Sequence, residues 1–217
     1  LDKADTARAL QYEMDKIREG KEAFKELTGV DFIDSNKVFA EVFDKMGERY
    51  PKTAKGNPSF NATSLEKIDT PVARTIKLIR NHEKRAGTYY SSFLYYAVGD
   101  RIHPNMKQAG TETGRFSYST PNLQNVPKED KDGLDFYVRK CFIPSKNHKM
   151  AMIDFSQMEF AVMIDYAGEK GLIEQVNSGA DIHQATADLL NIPRNQSKTV
   201  NFACLYGVGI NQLANLL

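Results

Sequence analysis

Apolar side chains at helical spacing are the feature that most constrains the fold of this chain. Over residues 2–28 they recur with charged residues between them, which predicts a long amphipathic helix that ends near Gly29. Either Asp34 or Ser35 is expected to cap a second helix, and a third is predicted at residues 70–96. Further helices are predicted at residues 157–168, 169–177, 182–190 and 194–206.

Two short apolar segments, residues 137–143 and 149–154, are predicted to be buried strands. Because helices dominate and strands are few, the fold class is predicted to be α+β and mostly helical. The 217 residues are 41% hydrophobic and 26% charged, which favours a folded chain over a disordered one.

Charge and cysteine usage exclude little. The net charge of +1 neither requires nor excludes a nucleic-acid partner. The two cysteines, Cys141 and Cys204, have no metal-ligand or disulfide spacing, which fits a reducing cytoplasm. No apolar run is long enough to cross a bilayer, so no membrane partner is expected.

Two basic segments are candidates for contact with phosphates. Residues 50–64 lack periodicity and carry Lys52 and Lys55 among hydroxyl and amide side chains, although a solvated loop has the same composition. The first half of the helix at residues 70–96 is basic too, and Lys84 belongs to it. A stripe along duplex phosphates and a solvated helix face both explain that pattern.

A cation-aromatic stripe is predicted on the helix at residues 194–206. Arg194, Lys198, Phe202 and Tyr206 are four residues apart, so they share one slowly turning face. Cations near the positive end of a helix dipole favour an anionic ligand, and a triphosphate would suit them. The alternative is a solvated helix with a buried aromatic pair.

Two further residues have open interpretations. Asp154, after an apolar run, could bind a hard cation such as Mg²⁺, or it could cap the following helix. His183 could donate to a phosphate or have a structural role.

Five segments together resemble the family A DNA polymerases, those like bacterial DNA polymerase I. They occur in the order of that family, and the residues before the last segment are more similar to phage members than to bacterial ones. The segments are Thr113–Arg115, Pro121–Asn125, Asp154–Glu159, Asp181–His183 and Arg194–Gly207.

The resemblance covers nearly the whole chain and implies an incomplete right-hand polymerase fold. Residues 1–100 would be a thumb-like helical region whose DNA-contacting loop is about 50–64. Residues 101–168 would begin the palm, with a partial antiparallel sheet and the first metal-binding motif. Residues 169–217 would begin the fingers, with the nucleotide-binding helix.

The resemblance also implies roles in nucleotidyl transfer from a dNTP to a primer 3′-hydroxyl. Asp154 would be one of two metal-binding aspartates, with the Phe155 carbonyl as a further ligand, and two Mg²⁺ ions would serve the complete enzyme. Asp154, Lys198 and Arg194 are the residues implied to be catalytic. The residues implied to bind the nucleotide are His183, Arg194, Lys198, Phe202, Tyr206, Glu159 and Gln157. Those implied to contact primer-template DNA are Arg115, Asn122, Gln124, Asn125, Lys84, Lys52 and Lys55.

Within that set, Glu159 and Tyr206 would pair as a gate against a ribose 2′-hydroxyl. Three positions depart from the pattern of the family: Phe155 stands where tyrosine is usual, Ala161 where arginine is usual, and Ala203 where glycine is usual.

The largest departure is the second metal-binding aspartate, which the family carries in a later His-Asp-acid tripeptide that this sequence does not contain. The chain is therefore expected to be a fragment of a DNA-directed DNA polymerase and inactive alone. The missing C-terminal palm and fingers would be fused to it or supplied by a separate chain. The expected location is the cytoplasm of a bacterium or a phage-infected host cell. The alternatives are a non-catalytic primer-template DNA-binding module and a plain helical interaction protein.

Overall fold

The computed structural model describes residues 1–127, 138–155 and 158–214. They form two compact units, Leu1–Met150 and Ala151–Leu217. The described residues are mostly helical, with two small antiparallel sheets, so the predicted fold class is confirmed. The division into three regions at residues 100 and 168 stays a prediction.

The first unit begins with the predicted long helix, α1, at Lys3–Thr28. The Asp2 carboxylate accepts from the Asp5 N–H at 2.9 Å and caps the first turn. At the other end Gly29 adopts φ 71°, and its N–H donates to the Lys25 carbonyl, which closes the helix. The next helix, α2, is Asn36–Met46, and of the two predicted caps it is Ser35 that occupies the N-cap position.

The predicted helix at residues 70–96 is present, but it is not α-helical throughout. A short helix, α3, at Ala62–Glu66 precedes it, within the segment predicted to be irregular. Thr70 caps α4, Pro71–Lys84, which continues through a π-helical segment at Arg85–Ser91 into α5, Ser92–Tyr96.

An aromatic core holds α1, α2 and α4 together. Phe24, Phe39, Phe43 and Phe60 are fully buried, and the ring centroids of Phe43 and Phe60 are 5.1 Å apart. Close-packed rings of this kind supply much of the burial energy of a small unit. A second apolar cluster lies at the π-helical segment and contains Ala9, Tyr89, Tyr90, Phe93, Val138 and Cys141.

A buried polar cluster lies where α1 meets the end of α4 and the start of the π-helical segment. Glu13 is fully buried, and its carboxylate accepts from the Arg85 Nε–H at 2.9 Å and contacts His82 Nδ1. His82 and Arg85 are buried as well. The carboxylate and the guanidinium compensate each other, which is the condition under which charges are tolerated inside a protein.

The two sheets of the first unit are two-stranded. Strand β1, Ala97–Val98, pairs with β2, Arg101–Ile102. Strand β3, Asn105–Lys107, pairs with β4, Ser117–Ser119, with Met106 opposite Tyr118.

Both segments predicted to be buried strands were wrongly assigned. Residues 138–141 form a 3₁₀ helix, in which Val138 and Cys141, three residues apart, share the face that packs into the second apolar cluster. Tyr137 lies outside the described residues. Residues 149–154 form no strand, and Met152 and Ile153 are exposed. A strand requires a ladder partner, and no segment among the described ranges supplies one to them.

The second unit consists of helices, and its four predicted helices are confirmed within a few residues of their predicted ends. They are α6, Met158–Ala167; α7, Lys170–Asn177; α8, Ile182–Leu190; and α9, Arg194–Leu205, after which a short α10, Ile210–Ala214, follows. Its buried apolar residues are Ile164, Ile182, Ala187, Val200 and Ala203. In the part of the chain that the structure describes, no helix combines the length and apolarity needed to cross a membrane.

Candidate functional site

A cavity of about 280 Å³ opens in the second unit, bordered by α6, α8, α9 and the segment before α6. Five of the residues predicted from the sequence line it: Asp154, Phe155, Glu159, His183 and Phe202. The other lining residues are Met158, Phe160, Asn201 and Leu205. Gln157, also predicted to bind the nucleotide, lies outside the described residues.

The cation-aromatic stripe of α9 has the predicted geometry. Lys198 Nζ lies 5.9 Å from the centroid of the Phe202 ring. The Phe202 and Tyr206 rings stack with their centroids 6.4 Å apart and their planes at 17°. Tyr206 is the first residue after α9, so the stripe continues just past the end of the helix.

Arg194, at the start of α9, binds a carboxylate of the same unit. Its Nε–H donates to Asp181 Oδ2 at 2.7 Å, while Oδ1 accepts from the backbone N–H groups of His183 and Gln184 and caps α8. The hydrogen bond from Arg194 lowers the pKa of the Asp181 carboxyl. The sequence predicted an external anion for this cation, and the structure adds an internal one. Since the Arg194 side chain is about half exposed, part of its N–H fork still faces solvent.

Glu159 and Tyr206 are brought together as predicted. The Tyr206 hydroxyl donates to Glu159 Oε2 at 2.7 Å. The contact joins the start of α6 to the end of α9, and Glu159 also lines the cavity. Its role as a gate stays a prediction.

His183 lies at the start of α8 and is only 7% exposed. Burial lowers the pKa of its imidazole, and the cations of Arg194 and Lys198 act in the same direction, while Asp181 opposes them. The ring of Phe202 lies 5.8 Å away between centroids, and the Asn201 amide nitrogen is 2.9 Å from Nδ1.

Asn201 is the cavity residue for which the sequence predicted no role. It lies inside the segment Arg194–Gly207 that carries the resemblance, three residues after Lys198. That spacing places it beside the stripe on α9, which was the available signal. Its partner on α8 could not be inferred from spacing, because the two helices meet only in the folded unit.

Asp154 is exposed and is followed by the non-helical Phe155, so it does not cap α6. The oxygen donors of this cavity are the carboxylates of Asp154 and Glu159, and the Phe155 carbonyl is adjacent in the chain. Mg²⁺ prefers a few carboxylate oxygens completed by water and phosphate, so this donor set fits part of one coordination sphere. Among the described residues, no group of three or more His, Cys, Asp or Glu side chains is arranged to hold a metal ion.

The residues predicted to contact DNA lie in the first unit, and all of them are exposed. Lys52 and Lys55 share one loop, where Lys52 Nζ lies 5.9 Å from the Tyr50 ring centroid. Gln124 has a structural contact, because its side-chain amide donates to the Phe116 carbonyl at 2.8 Å and accepts from the Tyr118 N–H. The Asn122 carboxamide accepts from the Gln124 N–H at 3.0 Å. The remaining three are Lys84, Arg115 and Asn125.

Comparisons with known proteins agree with one another. A family model described as DNA polymerase family A matches residues 4–217. The chain is 33% identical over 192 residues to the DNA polymerase DpoZ of Acinetobacter phage SH-Ab 15497, covering 78% of this chain and 31% of that protein. It is 35% identical over 203 residues to the DNA polymerase I of Helicobacter pylori strain J99, covering 88% of this chain and 22% of that protein.

A solved structure extends the likeness to the fold. It is the POL domain of Pol1 from M. smegmatis in complex with DNA primer-template and dNTP, with a TM-score of 0.80 and 25% identity. The match covers 99% of this chain and 40% of the solved one. The chain thus spans less than a third of the length of the two curated relatives named above.

Proposed function

The chain belongs to DNA polymerase family A, and on that premise we propose that it contributes the nucleotide-binding part of a site for template-directed DNA synthesis. One observation carries the proposal. The α9 stripe and the cavity meet at Phe202, so that cations, an aromatic face and carboxylates lie around one space. A dNTP has a matching order of groups, with a triphosphate, a sugar and a base.

In this proposal Lys198 and the exposed part of Arg194 bind the triphosphate, and His183 donates a hydrogen bond to it. Charge-assisted hydrogen bonds to phosphate are stronger than neutral ones, and the start of a helix adds a favourable dipole. Asp181 holds the Arg194 guanidinium in place, which reduces the side-chain entropy lost when the phosphate binds. Phe202 offers a ring face on which the base or sugar stacks.

Asp154 and the Phe155 carbonyl would hold Mg²⁺, the ion expected for the complete enzyme. When bound, two such ions would activate the primer hydroxyl and stabilise the charge on the leaving pyrophosphate. A second carboxylate is expected from the part of the family's fold that this sequence does not contain. We therefore expect this chain to be inactive without the remaining palm and fingers, fused or separate.

The Glu159–Tyr206 pair would select the sugar. The hydroxyl of Tyr206 is held by Glu159, so the space beside the stacked rings is closed on that side. A ribose 2′-hydroxyl would have to displace this hydrogen bond, and a deoxyribose would not. The pair would thus favour dNTP over rNTP.

Primer-template DNA is the proposed second ligand, contacted by the exposed basic and amide residues of the first unit. Such contacts with phosphate and sugar position a duplex without reading its sequence, as copying any template requires. They would also serve the alternative, a non-catalytic primer-template binding module. That alternative does not require Asp154, Lys198 and the Glu159–Tyr206 pair.

The Lys198→Ala variant separates the two functions. We expect dNTP affinity, measured by calorimetry with Mg²⁺ and primer-template DNA, to fall at least about tenfold, because a charge-assisted contact to phosphate is lost. Affinity for primer-template DNA, measured by fluorescence anisotropy, should stay unchanged. Lys170→Ala, an exposed lysine of α7, is the matched control and should change neither affinity. Equal loss of DNA and dNTP affinity in Lys198→Ala would favour the binding module.

A further inference from the structure

A chain of hydrogen bonds runs from a backbone carbonyl of α8 to the histidine of the cavity. The Thr186 hydroxyl lies 2.9 Å from the Ile182 carbonyl oxygen, one turn earlier in the same helix. The Asn201 side-chain nitrogen lies 3.1 Å from the Thr186 hydroxyl and 2.9 Å from His183 Nδ1. These side chains are partly or fully buried, so each polar atom depends on these partners.

The chemistry of the groups sets the direction of this chain. A carbonyl oxygen only accepts, so the single Thr186 hydroxyl proton goes to Ile182. Asn201 Oδ1 is 3.2 Å from the same hydroxyl, but the shorter contact is with the carbonyl. The Thr186 oxygen then accepts one N–H of the Asn201 amide. The second N–H of that amide points to His183 Nδ1, which must accept it.

We propose that Asn201 is a positioning residue that holds His183 as a neutral imidazole with its proton on Nε2. Because Nδ1 is occupied, Nε2 is the ring nitrogen left for a ligand, and it carries the N–H. That this ligand is a phosphate of a dNTP rests on the function proposed above. His183 would then orient the triphosphate by one directed hydrogen bond, while Lys198 and Arg194 supply the charge.

The surroundings of the ring support this assignment independently. Burial and the neighbouring cations of Arg194 and Lys198 lower the pKa of His183, which favours the neutral form that a tautomer requires. The Ser197 hydroxyl donates to the His183 carbonyl, so the backbone of this residue is tied to α9 as well. The Phe202 ring at 5.8 Å limits rotation of the imidazole.

The tautomer is directly measurable by NMR of the chain labelled with ¹⁵N-histidine, through the couplings between ring protons and ring nitrogens. At about pH 8 we expect His183 to carry its proton on Nε2, with its signals assigned by their loss in His183→Gln. In Asn201→Asp the carboxylate can only accept, so the proton should move to Nδ1. Asn195→Asp places the same charge on the exposed side of α9 and should leave the Nε2 tautomer unchanged.

A second pair of variants keeps the test independent of how well Asn201→Asp folds. Thr186→Ser retains the hydroxyl and should retain the Nε2 tautomer. Thr186→Val removes it, frees the amide to turn over, and should give a mixture of tautomers. A proton on Nδ1 in the unmodified chain, or an Nε2 tautomer that persists in both Asn201→Asp and Thr186→Val, would overturn the proposal.

The consequence for ligand binding is tested separately from the proposed function. Asn201→Asp should lower dNTP affinity by about tenfold, the loss of one neutral donor, while Asn195→Asp should leave it unchanged. If Lys198→Ala leaves dNTP affinity intact but His183 has the Nε2 tautomer, the proposed function fails and the role of Asn201 in setting the tautomer stands. If dNTP binding requires Lys198 but the tautomer is Nδ1–H, the function stands and this inference fails.

Discussion

In the first unit a buried histidine, His82, contacts a carboxylate, whereas in the second unit the buried His183 contacts an amide. The carboxylate of Glu13 only accepts, so it draws a proton to His82 Nδ1; the amide N–H of Asn201 does the opposite at His183 Nδ1. The first histidine belongs to a closed cluster of charges between helices, and the second lines a cavity. One side-chain type thus serves structure in one unit and is available to a ligand in the other.

The apolar residues of the two units differ in the same sense. The first unit encloses its aromatic core and its second apolar cluster, with several phenylalanine rings fully buried. In the second unit large apolar side chains such as Met152, Phe155, Val162 and Tyr166 are mostly exposed. Packing therefore stabilises residues 1–150 more than residues 151–217, and the second unit should open at lower denaturant concentration.

Removing a core ring should test this difference most strongly. Phe60→Ala leaves a cavity among Phe39, Phe43 and Tyr50, and it should lower the free energy of unfolding of the first unit by about 3–5 kcal/mol. Urea denaturation followed by far-UV circular dichroism would measure it. The matched change at an exposed ring, Phe116→Ala, should cost much less. A similar cost at both sites would contradict the assignment of Phe60 to the core.

The buried polar cluster gives the next largest expected effect. Glu13→Gln leaves the Arg85 guanidinium buried without a neutralising carboxylate, which should cost about 3 kcal/mol of unfolding free energy. Glu19→Gln alters an exposed carboxylate of the same helix and should leave the unfolding midpoint unchanged. If both variants unfold at the same denaturant concentration, the cluster does not stabilise the first unit.

The pH dependence of the second unit should be smaller and should depend on His183. Its folded pKa lies below its ordinary value of 6.5, so the unfolded chain takes up a proton first as pH falls. Stability is then complete above about pH 6.5 and falls as pH decreases from there toward the lowered folded pKa. Denaturation at several pH values from about 8 to 5 should show this slope, and His183→Gln should remove it. A slope that persists in the variant would assign the effect to another group.

The smallest effect is expected at an exposed aromatic residue of the second unit. Tyr166 is 95% exposed, so Tyr166→Ser should change the free energy of unfolding by less than about 0.5 kcal/mol. Ile164, two residues earlier in α6 and buried, provides the contrast: Ile164→Ala should cost about 2 kcal/mol or more. A large cost for Tyr166→Ser would mean that this ring is covered in solution.

The helices could be predicted because apolar periodicity is local, and α1 even ends at the glycine that the sequence indicated. The strands could not, since pairing depends on a partner elsewhere in the chain. Residues 149–154 have the composition of a strand but no ladder among the described residues. In the site, the stripe on α9 followed from spacing alone. The contacts Arg194–Asp181 and Asn201–His183 did not, because they join different helices.

The buried polar cluster shows the same limit more strongly. Glu13 and His82 are 69 positions apart, and neither has a sequence neighbour that announces the contact. Side chains of this kind are interpreted from sequence as a solvated helix face, because Glu and Arg are mostly exposed in proteins. Their burial depends on α1 and α4 packing closely along their length.

The π-helical segment at Arg85–Ser91 fixes the length of the chain at this point. Each residue added to or removed from an α-helix rotates everything after it by about 100°. The wider segment accommodates its sequence so that Ile76 and Ile79 face the aromatic core while Tyr90 and Phe93 face the second apolar cluster. Deleting Gly87, an exposed residue whose absence removes no packed side chain, would still turn Tyr90 and Phe93 away from their cluster. Substitutions should therefore be tolerated at this position far better than insertions or deletions of one residue.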